Sequence, residues 1–132
     1  MRSLPVAAAA LIALGGLTPA HAADPAPTPK DPKGGLFLTV SGADNTWIRG
    51  VLLRCAPEPS GAHPQAAKAC EAIAQAGGDF NALPDDPHAC TKEFDPVTAT
   101  VTGSYEGRAI SWHKTYPNAC TMDADTGYVF RF

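Results

Sequence analysis

Four cysteines in a chain of 132 residues limit the possible folds more than any other feature of this sequence. Cys55, Cys70, Cys90 and Cys120 are separated by 14, 19 and 29 intervening residues, spacing that fits bridges far better than a zinc site. The N-terminus supplies the compartment. Arg2 precedes an apolar run from Pro5 to Leu17, and Ala20-His21-Ala22 has the small-x-small form of a signal-peptide cleavage site. The run is broken by Pro5 and Gly15-Gly16 and is too short for a membrane span of about 20 residues. Residues 1–22 therefore read as a signal peptide, and removing 22 of 132 residues leaves 110. A secreted domain of that size reads as carrying two disulfides, for which the spacing allows three pairings.

Charge and motifs exclude several function classes. The mature chain keeps 9 Lys and Arg against 13 Asp and Glu, a formal charge of −4, so nothing attracts nucleic acid or an anionic membrane. His63, His88 and His113 form no His-x-x-x-His pair, and neither Cys-x-x-Cys nor Gly-x-Ser-x-Gly occurs. If all four cysteines are bridged, no thiol is left to pair with His88 or His113 as a nucleophile. Asp85-Asp86 and Asp123 with Asp125 lack the loop pattern of a calcium site and read as solvated carboxylates. No metal or cofactor is implied, and the chain does not read as an enzyme.

Along the mature chain, residues 23–35 hold Pro25, Pro27, Pro29 and Pro32 and read as a disordered, polyproline-like arm. Residues 36–132 read as one folded domain. Leu36, Leu38 and Val40 alternate with Phe37 and Thr39, which predicts a first strand with Leu36, Leu38 and Val40 on one face. A turn at Gly42 to Asn45 leads into a second strand from Trp47 to Cys55, with Gly50 as a bulge or bend. Pro64 opens a helix to about Ala76 whose Ala66, Ala69, Cys70 and Ile73 form a buried stripe, and Gly77-Gly78 ends it. Alternation returns from Pro96, turns at Tyr105-Glu106-Gly107 and continues from Arg108 to Tyr116. Pro117 to Asp123 predicts a short helix, and Tyr128 to Phe132 a last strand. Mixed in that order, the elements predict an α+β domain on an antiparallel sheet.

One segment carries chemistry. In Cys90-Thr91-Lys92-Glu93-Phe94-Asp95-Pro96, a lysine follows a cysteine by two residues, within an irregular stretch closed by a proline. Outside the cell an exposed Lys–Glu bond is a target for trypsin-like proteases, whose acidic primary pocket accepts lysine. β-Branched Thr91 and Pro96 favour an extended backbone, which fits a protease cleft by edge pairing. A bridge at Cys90 presents that bond while tying the chain down, so the segment reads as protease bait.

The same residues resemble the Streptomyces subtilisin inhibitor family of secreted bacterial serine protease inhibitors. The matching runs are Leu38-Thr39-Val40, Leu53 to Pro64, Ala69-Cys70, Gly77 to Leu83, Cys90 to Val97, Asn118-Ala119-Cys120 and Val129 to Phe132. The resemblance implies a five-stranded antiparallel sheet with two helices, and disulfides Cys55–Cys70 and Cys90–Cys120. It implies a reactive bond between Lys92 and Glu93, with Ala89, Cys90, Thr91, Phe94 and Asp95 lying along the protease and Asn118 supporting them from beneath. It implies subtilisin-like targets, to which Lys92 adds trypsin-like ones, and a homodimer packed through the sheets, with Phe37 contributing. The competing reading is a secreted binding module without inhibitory activity, or a crosslinking substrate through Gln65 or Gln75 and Lys30 and Lys33.

Overall fold

The computed structural model describes residues 34–132, together with Gly15 and Gly16. The expected signal peptide and nearly all of the proline-rich arm, with Lys30 and Lys33, lie outside the described residues. From residue 36 the order is β1 (Leu36–Gly42), a 3₁₀ turn (Ala43–Asn45), β2 (Ile48–Arg54), β3 (Ser60–Gly61) and α1 (Ala66–Gln75). An irregular segment then leads to β4 (Val97–Tyr105), β5 (Arg108–Tyr116) and α2 (Ala119–Thr126). The five strands form one antiparallel sheet in the order β3-β2-β1-β4-β5.

The strand alternation sorts the sheet into two unlike faces. Leu36, Leu38 and Val40 from β1, Leu53 from β2, and Val97, Ala99 and Val101 from β4 are buried against the helices. They meet Ala69, Cys70 and Ile73 of α1 and Met122 of α2 in one core. The opposite face carries Phe37 opposite Leu52, Ser41 opposite Ile48, and Thr98, Thr100 and Thr102 from β4. On it Phe37, Leu52 and Ile48 are 46%, 55% and 67% exposed. Gly50 makes no bulge, since the β1–β2 register runs unbroken through Thr39 and Gly50. The Phe37 ring occupies the space there, and a Cβ on residue 50 would lie 2.9 Å from its Cζ.

Two expectations are corrected. The fifth strand is Ser60–Gly61, paired with Leu53 and Arg54, and not the C-terminal residues. Residues 127–130 form a turn, after which the Arg131 amide donates to the Tyr128 carbonyl at 3.2 Å and no strand follows. Val129 and Phe130 are consecutive and both fully buried. A strand with one wet face sends neighbouring side chains to opposite sides and cannot bury such a pair. The Phe130 ring instead stacks on Trp112, 5.8 Å between centroids, and Phe80 packs against the same indole at 5.8 Å.

Buried His63 secures this corner. The Gln65 amide donates to its Nδ1 at 3.0 Å, so the ring proton sits on Nε2, which donates to the Val129 carbonyl at 2.9 Å. The same bond occupies an amide at the start of α1, which has no side-chain cap and begins two residues after Pro64. Gly77 and Gly78, at φ +61° and +79°, terminate the helix as predicted. The Cys55–Cys70 bridge joins the end of β2 to α1.

Candidate functional site

Residues 84–96 have no regular secondary structure, but they are fastened at intervals. Phe80 and Leu83 are buried in the core at the start of the segment. The Asp86 amide donates to the Ala124 carbonyl at 2.8 Å, and the Asp86 carboxylate pairs with Arg131 at 2.7 Å. That hydrogen bond holds the Asp86 carboxyl below the usual carboxylate range. Asp123 behaves oppositely, its carboxyl raised chiefly by burial. The acidic residues at 85–86 and 123–125 thus belong partly to an anchor of the segment.

The next fastenings surround the Lys92–Glu93 bond. Cys90 is bonded to Cys120 in the first turn of α2. Asn118 caps that helix, and its Oδ1 accepts the Thr121 amide at 2.8 Å. Its Nδ2 donates to the Thr91 carbonyl at 3.3 Å and to the Glu93 carbonyl at 2.8 Å. One buried amide therefore holds the backbone on both sides of Lys92. The Asp95 amide donates to the Pro117 carbonyl at 2.9 Å, immediately before β4 begins. α2 is the short helix expected at 117–123, displaced to 119–126 because Asn118 is the cap.

The side chains of this segment point outward. Ala89, Thr91, Lys92, Glu93, Phe94 and Asp95 are all exposed, and Cys90 is half-buried. Phe94 at 81% is the most exposed large apolar side chain among the described residues. A backbone held from below with its side chains free presents a shape ready for a cleft. His88 comes near Cys90 and Cys120, the one grouping of possible metal ligands among the described residues, but the two sulfurs are bonded to each other. No described helix is long and apolar enough to cross a membrane. Gln65 precedes α1 and Gln75 is its last residue, with Gln65 half-buried and Gln75 exposed.

Comparison with known proteins gives the family of the chain. A family model described as subtilisin inhibitor-like matches residues 33–118. The chain belongs to the subtilisin inhibitor-like family. A subtilase-type protease inhibitor of Streptomyces fradiae is 40% identical over 98% of this chain and 92% of its own length. A protein of the same description from Streptomyces coelicolor is 41% identical over 89% and 87%. Among solved structures, Streptomyces caespitosus sermetstatin in complex with Bacillus licheniformis subtilisin superposes with a TM-score of 0.59. It is 32% identical and covers 75% of this chain and 97% of the matched chain. Membership places the chain among inhibitors of proteases and not among enzymes.

Sequence reasoning missed two fastenings of the segment. The Asp95 amide to Pro117 carbonyl bond is made by backbone alone and leaves no trace in side-chain identity. The Asp86–Arg131 pair joins residues 45 positions apart, and only the chain's return through the C-terminal turn brings them together.

Proposed function

We propose that this chain is a secreted inhibitor of serine proteases that binds by presenting the Lys92–Glu93 bond as a substrate. The supporting observation is the double grip of Asn118 on Thr91 and Glu93 beneath an exposed Lys92. Lys92 enters the primary pocket of the protease, and Ala89 to Asp95 lie along its cleft. The protease serine attacks the Lys92 carbonyl. If the bond opens, the Thr91 side and the Glu93 side stay on the same amide, and Cys90–Cys120 and the Asp95–Pro117 bond hold both strands. The Glu93 amine remains next to the acyl group, so religation outpaces water. Preorganisation keeps the ordering cost of association small, and interfaces of about 1,600 Å² of this kind rank among the tightest known.

Subtilisin-like proteases are the primary targets on this reading, and Lys92 adds trypsin-like ones. Titration of the oxidised protein against subtilisin and trypsin tests it, with stoichiometric loss of both activities expected. Lys92→Met should remove trypsin inhibition and keep subtilisin inhibition. Unchanged trypsin inhibition in that variant would move the reactive bond elsewhere, and cleavage after Lys92 without inhibition would leave a binding module.

The same reading includes a homodimer through the open sheet face. Phe37, Leu52 and Ile48 form an apolar patch there, flanked by small and threonine side chains, and such a patch is costly to leave wet. Ile48→Lys should sediment as a monomer and still inhibit. A wild-type protein that sediments as a monomer would remove the dimer from the proposal.

A further inference from the structure

The reading of Lys92–Glu93 as the reactive bond leaves three side chains unexplained: Glu93, Phe94 and Asp95. Five basic side chains elsewhere among the described residues are engaged. Arg131 pairs with Asp86, Arg108 donates to the Gly77 carbonyl, and Arg49, Lys68 and Lys114 lie over aromatic rings. Glu93 and Asp95 have no side-chain hydrogen bond or ion pair within the described residues, and the Phe94 ring has no ring partner. The β1–β2 turn with exposed Asp44 lies at the same end of the sheet, because Gly42 pairs with Val97 just after this segment.

Once Lys92 is buried in a primary pocket, the rim on the leaving-group side carries two unpaired carboxylates around a bare aromatic ring. A protease with a neutral or acidic surface there would desolvate both carboxylates without return. A basic surface compensates them and also steers the encounter. A ring 81% exposed on a preorganised backbone has the character of an interface anchor. We infer that the partner is a serine protease whose leaving-group side presents basic side chains around an apolar subsite. Phe94 fills that subsite, and Glu93 and Asp95 are the specificity-determining charges.

The test uses the disulfide-bonded protein against two forms of one subtilisin. They differ only at leaving-group-side positions, neutral in one form and lysine in the other. Wild type should associate about tenfold faster with the lysine form at low ionic strength, and added salt should erase the difference. The double variant Glu93→Gln with Asp95→Asn keeps every backbone hydrogen bond and should associate equally with both forms. Phe94→Ala should dissociate about tenfold faster from both. The inference is overturned if the double variant keeps the wild-type preference, or if Phe94→Ala dissociates like wild type. Wild type that inhibits neither form would remove the reactive-bond reading itself, a result distinct from an unselective but effective inhibitor.

Discussion

The two disulfides sit at corners that are built differently. Cys55–Cys70 spans 15 residues and joins β2 to α1, a helix that already buries Ala69, Cys70, Ala72 and Ile73. Cys90–Cys120 spans 30 residues and joins an irregular segment to α2, which buries only Met122 and Thr126. Loop-closure entropy gives nearly equal stabilisation, about 3 kcal/mol for the shorter loop and about 3.6 kcal/mol for the longer. The difference lies in what each bridge holds. The first reinforces a core that apolar burial already defines. The second, with Asn118 and the Pro117 carbonyl, fixes a segment that has no apolar reason to stay in one shape.

The comparison breaks most visibly when each bridge is removed in turn. Cys90→Ala with Cys120→Ala should abolish lasting inhibition, with subtilisin activity recovering as Lys92–Glu93 is cut, while circular dichroism still reports the sheet. Cys55→Ala with Cys70→Ala should lower Tm and leave inhibition intact at 25 °C. Equal loss of inhibition in both pairs would erase the distinction.

Asn118 sharpens it next. Asn118→Asp keeps the cap acceptor for Thr121 but loses the donors to Thr91 and Glu93. It should weaken inhibition about tenfold, given about 1–3 kcal/mol for stranding the loop carbonyls. Asn118→Ala should weaken inhibition similarly and also destabilise the fold by about 1 kcal/mol through the lost cap. Urea unfolding and inhibition constants measured on both variants separate the two roles.

At the other corner His63→Ala strands the Gln65 amide and the Val129 carbonyl. It should cost about 1–3 kcal/mol in urea unfolding without changing the inhibition constant.

The smallest effect is a pH dependence. Burial, then Asp125, pushes the Tyr116 phenol up to about 12 from an unfolded value of about 10. The raised value means that its contribution is complete below pH ~10 and is lost as pH climbs toward 12. Tyr116→Phe should flatten the decline in stability across that window, as read by thermal melts at stepped pH.

Much of this was legible in the sequence, and the reasons differ by region. β1, β4 and β5 announce themselves because strict alternation matches a sheet with one buried face. α1 does so through its stripe and the Gly77-Gly78 stop. β3 did not, since two residues carry no period. The C-terminal residues misled for the opposite reason. An apolar run of Tyr128, Val129, Phe130 and Phe132 looks like a strand, yet Val129 and Phe130 are both buried, and His63, Lys68 and Trp112 meet the run from distant parts of the chain. At the site, exposure of Lys92 followed from the turn-rich composition around it. The disulfide pairing and the support by Asn118 came from family resemblance, because spacing alone leaves three pairings open. The Pro117 and Arg131 fastenings were invisible, as they depend on where distant backbone returns.

The sheet also limits how far self-association can go. One face is roofed by the helices, the edge beyond β2 is only the two-residue β3, and the outer edge of β5 carries Arg108 and Lys114. Short and charged edges resist strand-to-strand growth. In the proposed dimer, a copy docking on the bare face covers the exposed Phe37, Ile48 and Leu52, and a two-fold contact of that kind closes on itself. If the proposed dimer and reactive bond hold, such a particle offers two baits and no more, and binds proteases in pairs without crosslinking them into a network.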